Sequence, residues 1–328
     1  MNQNFNRNKQ HTIASETGIS GEGLHSGIHA DLKLKPEKPG FGFRFQRIDL
    51  PGQPVIAADC DLVTNTFRCT TLSDQGASIS TVEHILAALV GSGIDNCLIE
   101  INGPEIPIID GSCQPFVKLI EQAGLIEQKA HKIWYDLETE ISHYYHEKNV
   151  RMVALPFEEY SICTFMDFKS KFLSEQYATL EHIADFNKEI APCRTYCFVH
   201  ELEELIDRNL LKGDILKNAI LIMDEPVSET EMIRLQKKFH IKDFEVKDGG
   251  YLNNLELRFD NEIARHKLMD VIGDLALVGF SLNAKILGSR PGHTTNVEFA
   301  KKLKQYILKK KAGNVSEIKR DEKVFNKS

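Results

Sequence analysis

No stretch of this chain approaches the ~18 uninterrupted apolar residues that a membrane-spanning helix needs. The first ten residues lack the apolar core of a secretory signal. Seven cysteines are present, an odd number with no C-x-x-C pair, which excludes a disulfide framework and favours a reducing, cytoplasmic setting. Cys193 and Cys197 stand four apart, a weak spacing for a metal pair. A basic surplus is missing too. The formal net charge of −7 leaves nothing domain-wide to neutralise nucleic-acid phosphates, and the locally basic run over 301–320 reads as a solvated face. The H-E-x-x-H of common metallopeptidases is absent. Apolar content of 42% and charged content of 27% are those of a globular protein, and 328 residues suffice for two domains with buried cores.

Against these absences, the run Glu262–Gly279 is rich in chemistry. His266, Asp270 and Asp274 recur every four residues, so in a helix they project from one face, while Met269, Ile272, Leu275 and Leu277 fill apolar positions. An imidazole and a carboxylate so spaced both reach a divalent metal at about 2.0–2.2 Å. A second helix opens at Ser80-Thr81-Val82-Glu83-His84, placing a carboxylate directly before a histidine. Ser80 and Glu83 also fit the S-x-x-E capping box, a use that competes with chemistry at Glu83. A third segment, Gly288-Ser-Arg-Pro-Gly-His293, is a Pro/Gly loop that holds His293 at a strand-to-helix junction. Singly, each segment has an ordinary structural explanation. Together, two neutral imidazoles and a carboxylate supply three ligands and leave the fourth position of a tetrahedral zinc open to water. Zinc lowers the pKa of that water to about 7. Glu83 then serves as general base, and a protonated His293 steadies the oxyanion or protonates the leaving amine. That combination is suited to amide hydrolysis.

Ordered strings along most of the chain carry a family resemblance. They are Gly21-Glu-Gly-Leu-His25-Ser-Gly27, Asn65-Thr-Phe-Arg-Cys69-Thr-Thr71, Ile79-Ser-Thr-Val-Glu-His84, Asn102-Gly-Pro-Glu-Ile-Pro-Ile-Ile-Asp-Gly-Ser112 and Cys193-Arg-Thr-Tyr-Cys-Phe198, joined by the His266 helix and the Gly292-His293 loop. The sequence resembles the UDP-3-O-acyl-N-acetylglucosamine deacetylases, zinc amidases of lipid A synthesis in Gram-negative bacteria. The resemblance implies Zn2+ on His84, His266 and Asp270, with Fe2+ accepted by the same ligand set. It implies Glu83 as base, His293 as oxyanion stabiliser and acid, Asp274 holding His293 charged, and Thr195 offering its hydroxyl to the oxyanion. Lys267, Phe198 and Gly213 are the implied substrate contacts. Tyr196 replaces a frequent Phe, and Lys217 stands where an acidic or asparagine side chain is common. The implied partner is a UDP-linked acylated glucosamine met by a monomer, with transient membrane-surface contact at most. A zinc amidase for another N-acyl sugar, or a non-catalytic binding module on a similar fold, stays open at this point.

The expected fold is α+β, two similar layered α/β-sandwich domains packed helix to helix with the active site at the interface. Residues 1–126 form the first domain and 132–312 the second, with an insert near 211–255 and a polar tail over 313–328. Strands are expected over 12–14, 30–34, 42–48, 70–72 and 96–101, with helices from 81 and over 114–123. After a polar link at 127–131 come strands over 133–141, 150–155, 162–168 and 177–180. Helices over 195–210 and 262–278 and a strand over 284–287 complete the second half, and Ala219–Met223 is a buried strand of the insert. Ala88-Leu-Val-Gly91 and Ala276-Leu-Val-Gly279 end the two histidine-bearing helices alike, the trace of a structure built twice.

Overall fold

Alternation of apolar and polar residues sets the strands. In His29–Pro36, Ala30, Leu32 and Leu34 are buried while the residues between them face outward, and Leu282, Ala284 and Ile286 do the same in Ser281–Ser289. The computed structural model describes residues 6–201, 215–239 and 245–325. Its strands, in chain order, begin with β1 (Lys9–Ile13), β2 (Thr17–Glu22), β3 (His29–Pro36), β4 (Phe43–Arg47) and β5 (Val55–Ala57). They continue with β6 (Val63–Asn65), β7 (Thr71–Asp74), β8 (Ala77–Ile79), β9 (Cys97–Ile101), β10 (Leu125–His131), β11 (Trp134–Asp136) and β12 (Ile141–Tyr145). The last are β13 (Val150–Pro156), β14 (Tyr160–Met166), β15 (Gln176–Leu180), β16 (Tyr196–Phe198), β17 (Ile220–Ile222) and β18 (Ser281–Ser289). The helices are α1 (Val82–Gly91), α2 (Gln114–Ala123), α3 (Phe186–Glu189), α4 (Ile215–Asn218), α5 (Glu229–Phe239), α6 (Glu262–Ala276) and α7 (His293–Phe325).

The fold is α+β, and its two main sheets repeat one topology. The first runs β2-β3-β9-β4-β5 and the second β12-β13-β18-β14-β15, with β11 also on β18. In each, the central strand (β9 or β18) is antiparallel to one neighbour and parallel to the other. In each, one helix precedes the central strand and another follows it, α1 and α2 about β9, α6 and α7 about β18. The duplication therefore lies in the strand order. The four-residue sequence match does not mark it: Gly91 is still inside α1, where a Cβ would fall 2.0 Å from the Phe186 ring, whereas Gly279 lies beyond α6 at φ +74°. The left-handed residue after α1 is Gly93, φ +77°.

Other expectations are corrected. Residues 127–131 are no link but most of β10, which pairs with β1; its alternating exposure hid it. Thr195 begins no helix, because β16 follows it and pairs in parallel with β17, and the helical residues start at 199. Residues 202–210 of that expected helix lie outside the described residues. α7 continues through 313–325, the expected polar tail.

The layers meet through α1 and α6. Their apolar faces (Val82, Ile85, Leu86 and Leu89 against Leu268, Met269, Ile272 and Leu275) belong to one buried core. At the crossing the backbones nearly touch: a Cβ on Gly273 would lie 2.1 Å from the Glu83 carbonyl oxygen. Only glycine permits that approach. Gly273→Ala is expected to cost about 1–3 kcal/mol by overpacking, read as a lowered midpoint in thermal unfolding. Gly292→Ala, which meets nothing within 4 Å, should leave the midpoint within error.

Candidate metal and catalytic site

The first turn of α1 carries Glu83 and His84, and α6 lays His266, Asp270 and Asp274 along its facing side; all five are buried. The close approach at Gly273 puts the His84 and His266 rings edge to face, centroids 5.2 Å apart. One donor atom from each of His84, His266 and Asp270 falls within 4.8 Å of the other two.

Hydrogen bonding tells what this trio is built for. His266 Nδ1 sits 3.2 Å from the Cys193 carbonyl oxygen. A carbonyl only accepts, so Nδ1 carries the proton and Nε2 presents its lone pair. That Nε2 faces Asp270 Oδ1 at 3.6 Å. Asp270 Oδ1 and His84 Nδ1 are both buried with no hydrogen-bond partner among the described residues. Buried polar atoms without partners are costly, and a cation shared by the trio relieves that cost. Burial lowers the His84 pKa to about 3, aided by His266, and burial likewise lowers His266. Both rings are thus neutral, as metal ligands must be. Burial opposes ionisation of Asp270, but the Lys267 ammonium leads the charges that outweigh it and hold the carboxyl far below the usual range. Lys267 Nζ donates to Asp270 Oδ2 at 2.8 Å, which engages that oxygen and leaves Oδ1 facing the histidines. The residues fit a divalent metal.

A second set of groups flanks the trio. His293, at the start of α7, points Nδ1 at Asp274 Oδ2, 3.0 Å away, and its Nε2 lies 3.8 Å from Asp270 Oδ2. Thr70 Oγ1 donates to Asp274 Oδ1 at 2.6 Å and Asn296 Nδ2 to Oδ2 at 2.9 Å. Burial works against the His293 cation, yet Asp274, Asp270 and Glu83 outweigh it and raise the ring's pKa to about 9. Burial pushes Glu83 up to about 8 against the pull of His293; a bound dication would favour its ionised form. Glu83 Oε2 accepts the Thr70 amide at 3.0 Å. The capping box is not formed: Thr81 is the N-cap, and Ser80 Oγ donates to the Pro104 carbonyl instead. Glu83 is left facing the cavity.

That cavity, of about 260 Å³, is lined by Glu83, His84, Thr195, Phe198, His266, Lys267, Asp270 and His293. Of the residues expected at the site, Asp274 stands behind His293, and Gly213 lies outside the described residues. The lining also includes Leu24, His25, Arg68, Thr81, Ile108, Tyr196, Cys197 and Glu201, to which sequence reasoning gave no role. All but Glu201 fall within the ordered strings that carry the family resemblance, so the strings themselves were the signal. Cys69 and Cys193 are buried thiols, both with pKa raised chiefly by burial, and neither joins the metal-binding group. A second acidic cluster, Asp59, Cys60 and Asp61, already holds the Lys304 ammonium, 2.5 Å from Asp59 and 2.7 Å from Asp61.

The model of the UDP-3-O-acyl N-acetylglycosamine deacetylase family matches residues 10–240 and 244–305. The bifunctional enzyme LpxC/FabZ of Porphyromonas gingivalis is 40% identical over 304 residues, 93% of this chain and 66% of the relative. That of Bacteroides thetaiotaomicron is 42% identical over 299 residues, 91% and 65% respectively. The chain therefore spans about two thirds of the length of these relatives. It is also 34% identical over 301 residues to the UDP-3-O-acyl-N-acetylglucosamine deacetylase of Trichormus variabilis, covering 90% of this chain and 98% of the relative. On a match that takes in both sheets and every metal-site residue, this chain belongs to the UDP-3-O-acyl N-acetylglycosamine deacetylase family.

Proposed function

We propose that the chain hydrolyses the 2-N-acetyl group of UDP-3-O-acyl-N-acetylglucosamine, releasing acetate, as a step of lipid A synthesis. The observation that carries this reading is the buried trio His84, His266 and Asp270, with two partnerless polar atoms among the described residues, flanked by the Glu83 carboxyl and by His293, whose pKa is raised. The three residues would hold Zn2+, the ion best suited to two imidazoles and a carboxylate, although Fe2+ accepts the same set. When bound, the ion supplies Lewis acidity toward a carbonyl and makes water acidic near neutral pH.

The rest is done by the chain's own groups. Glu83 takes the proton of the attacking water. His293, its Nδ1 tied to Asp274, works through Nε2. It donates toward the carbonyl oxygen as negative charge develops there, then gives its proton to the leaving nitrogen. The Thr195 hydroxyl adds a donor for the same oxygen. Lys267 keeps one proton on Asp270 and turns others toward the substrate's phosphates, while Phe198 forms part of the wall. The apolar lining of Leu24, Ile108, Cys197 and Phe198 suits an acyl chain. In this reading 1–126 and 132–312 act as two domains around one site, and the enzyme works in the cytoplasm as a monomer. No helix among the described residues is long and apolar enough to cross a membrane. Acetate release from N-acetylated sugars with and without the UDP and the 3-O-acyl chain tests the assignment. Turnover that ignores both groups would point to an amidase for another N-acyl sugar.

Glu83→Gln should lower kcat by about 10²–10⁴-fold with metal content unchanged. Steady-state rates and metal analysis on one sample check this, and full turnover in a metal-replete variant would remove Glu83 from the base role. The His293 cation gives a pH prediction. A carboxylate partner raises a histidine's pKa, so His293 stays charged to higher pH while Asp274 is present. Asp274→Asn should move the basic limb of kcat/KM to lower pH and reduce the rate near neutrality; because the Asp274 charge also raises Glu83, the acidic limb should move to lower pH as well. An unmoved basic limb would take His293 out of the acid role.

A further inference from the structure

One part of the cavity wall is built by a short turn outside the metal-ligand helices. Leu24 and His25 line the cavity from the segment between β2 and β3. The turn closes on itself through the Gly27 amide, which donates to the Gly23 carbonyl at 3.0 Å, with Gly27 at φ +64°. Two of its amides point at a single group. The His25 amide donates to Glu105 Oε1 at 3.0 Å and the Ser26 amide to Glu105 Oε2 at 2.7 Å. Glu105 is 1% exposed, and it has no ion-pair partner among the described residues. Its carboxylate is spent on the turn and on one further donor, Thr81 Oγ1, at 3.0 Å from Oε1.

Thr81 is the residue from which α1 starts. Its φ of 60° and ψ of 38° are left-handed, an outlier for a β-branched side chain that persists only where its surroundings impose it. The Glu105 bond imposes it from one side. From the other, the segment around Glu105 grips residue 80: the Ser80 amide donates to the Pro104 carbonyl and the Ile106 amide to the Ser80 carbonyl, both at 3.0 Å. Gly23 is matched to this arrangement, since a Cβ there would stand 2.3 Å from Glu105 Oε2. One buried carboxylate thus ties this part of the cavity wall to the residue two before Glu83 and three before His84.

We propose that Glu105 is a positioning residue: it fixes the 23–26 turn against the start of α1 and so sets how tightly the cavity takes its substrate. The proposal rests on the deacetylase reading above. A carboxylate accepts several amide donors at once, and such charge-assisted bonds are about twice as strong as neutral ones. A glutamine would turn an NH2 against one of those amides. The Glu105→Gln holoenzyme should therefore show KM raised about 10-fold or more and kcat within about threefold of wild type, with metal content unchanged. Amide hydrogen exchange should quicken in peptides covering 22–28 and stay slow in those covering α1. Gly23→Ala, whose Cβ would press on the carboxylate while leaving Glu105 unsubstituted, should reproduce both effects, and it carries the test alone if Glu105→Gln fails to fold. Unchanged exchange over 22–28, an unchanged KM with faster exchange, or a joint collapse of KM, kcat and metal content would each overturn the proposal. Absence of acetate release by the wild type would sink the deacetylase reading instead, and the anchoring of the turn would then stand or fall with the exchange data.

Discussion

The contact on which the structure depends is the approach of α6 to α1 at Gly273, where the absence of a side chain lets one helix rest on the Glu83 carbonyl of the other. Every group of the site is counted from that crossing. His84 is the next residue of α1, Asp274 the next of α6, and Asp270 and His266 lie one and two turns back. The apolar residues of the same helices fill the core on either side, so the burial that stabilises the packing also strips water from the ionisable groups. Packing and chemistry therefore rest on one interface.

Removing water from so many ionisable groups makes their mutual arrangement decisive. Asp270, Asp274 and Glu83 meet Lys267 and His293 in a buried space, and each carboxyl has a partner: Lys267 for Asp270, His293 with Thr70 and Asn296 for Asp274, the Thr70 amide for Glu83. Within the metal trio, Asp270 Oδ1 and His84 Nδ1 stay unmatched among the described residues. Truncating one member of such a network strands its partner, which costs more than the lost bond itself. The proposed division of labour follows from the same arrangement, since the acid is held charged by carboxylates and the base is held in a dry pocket beside it.

Much of this was legible in the chain. The four-residue spacing of His266, Asp270 and Asp274 specified one helical face, and the ordered strings marked most of the lining. The alternation in 30–34 and 96–101 gave central strands of the first sheet. The rest depended on contacts distant in sequence. β10 is half-exposed and reads as polar, and only pairing with β1 makes it a strand. β16 follows Thr195 because β17 lies beside it. The capping box was locally sound, but tertiary bonds from Ser80 to Pro104 and from Thr70 to Glu83 took both of its members away. Gly273 looked like any helical glycine until a carbonyl from α1 was placed against it, and Glu105 gave no sign of the turn it holds.

The central claim is that α1 and α6 together form one metal site from His84, His266 and Asp270. Zinc K-edge absorption of the metal-loaded protein, with the metal content of the same sample, tests it most directly. The account predicts one ion per chain, surrounded by nitrogen and oxygen at about 2.0–2.2 Å, with two imidazole signatures and no sulfur. Thiolate scattering near 2.3 Å, a single imidazole, or no stoichiometric metal at all would contradict it.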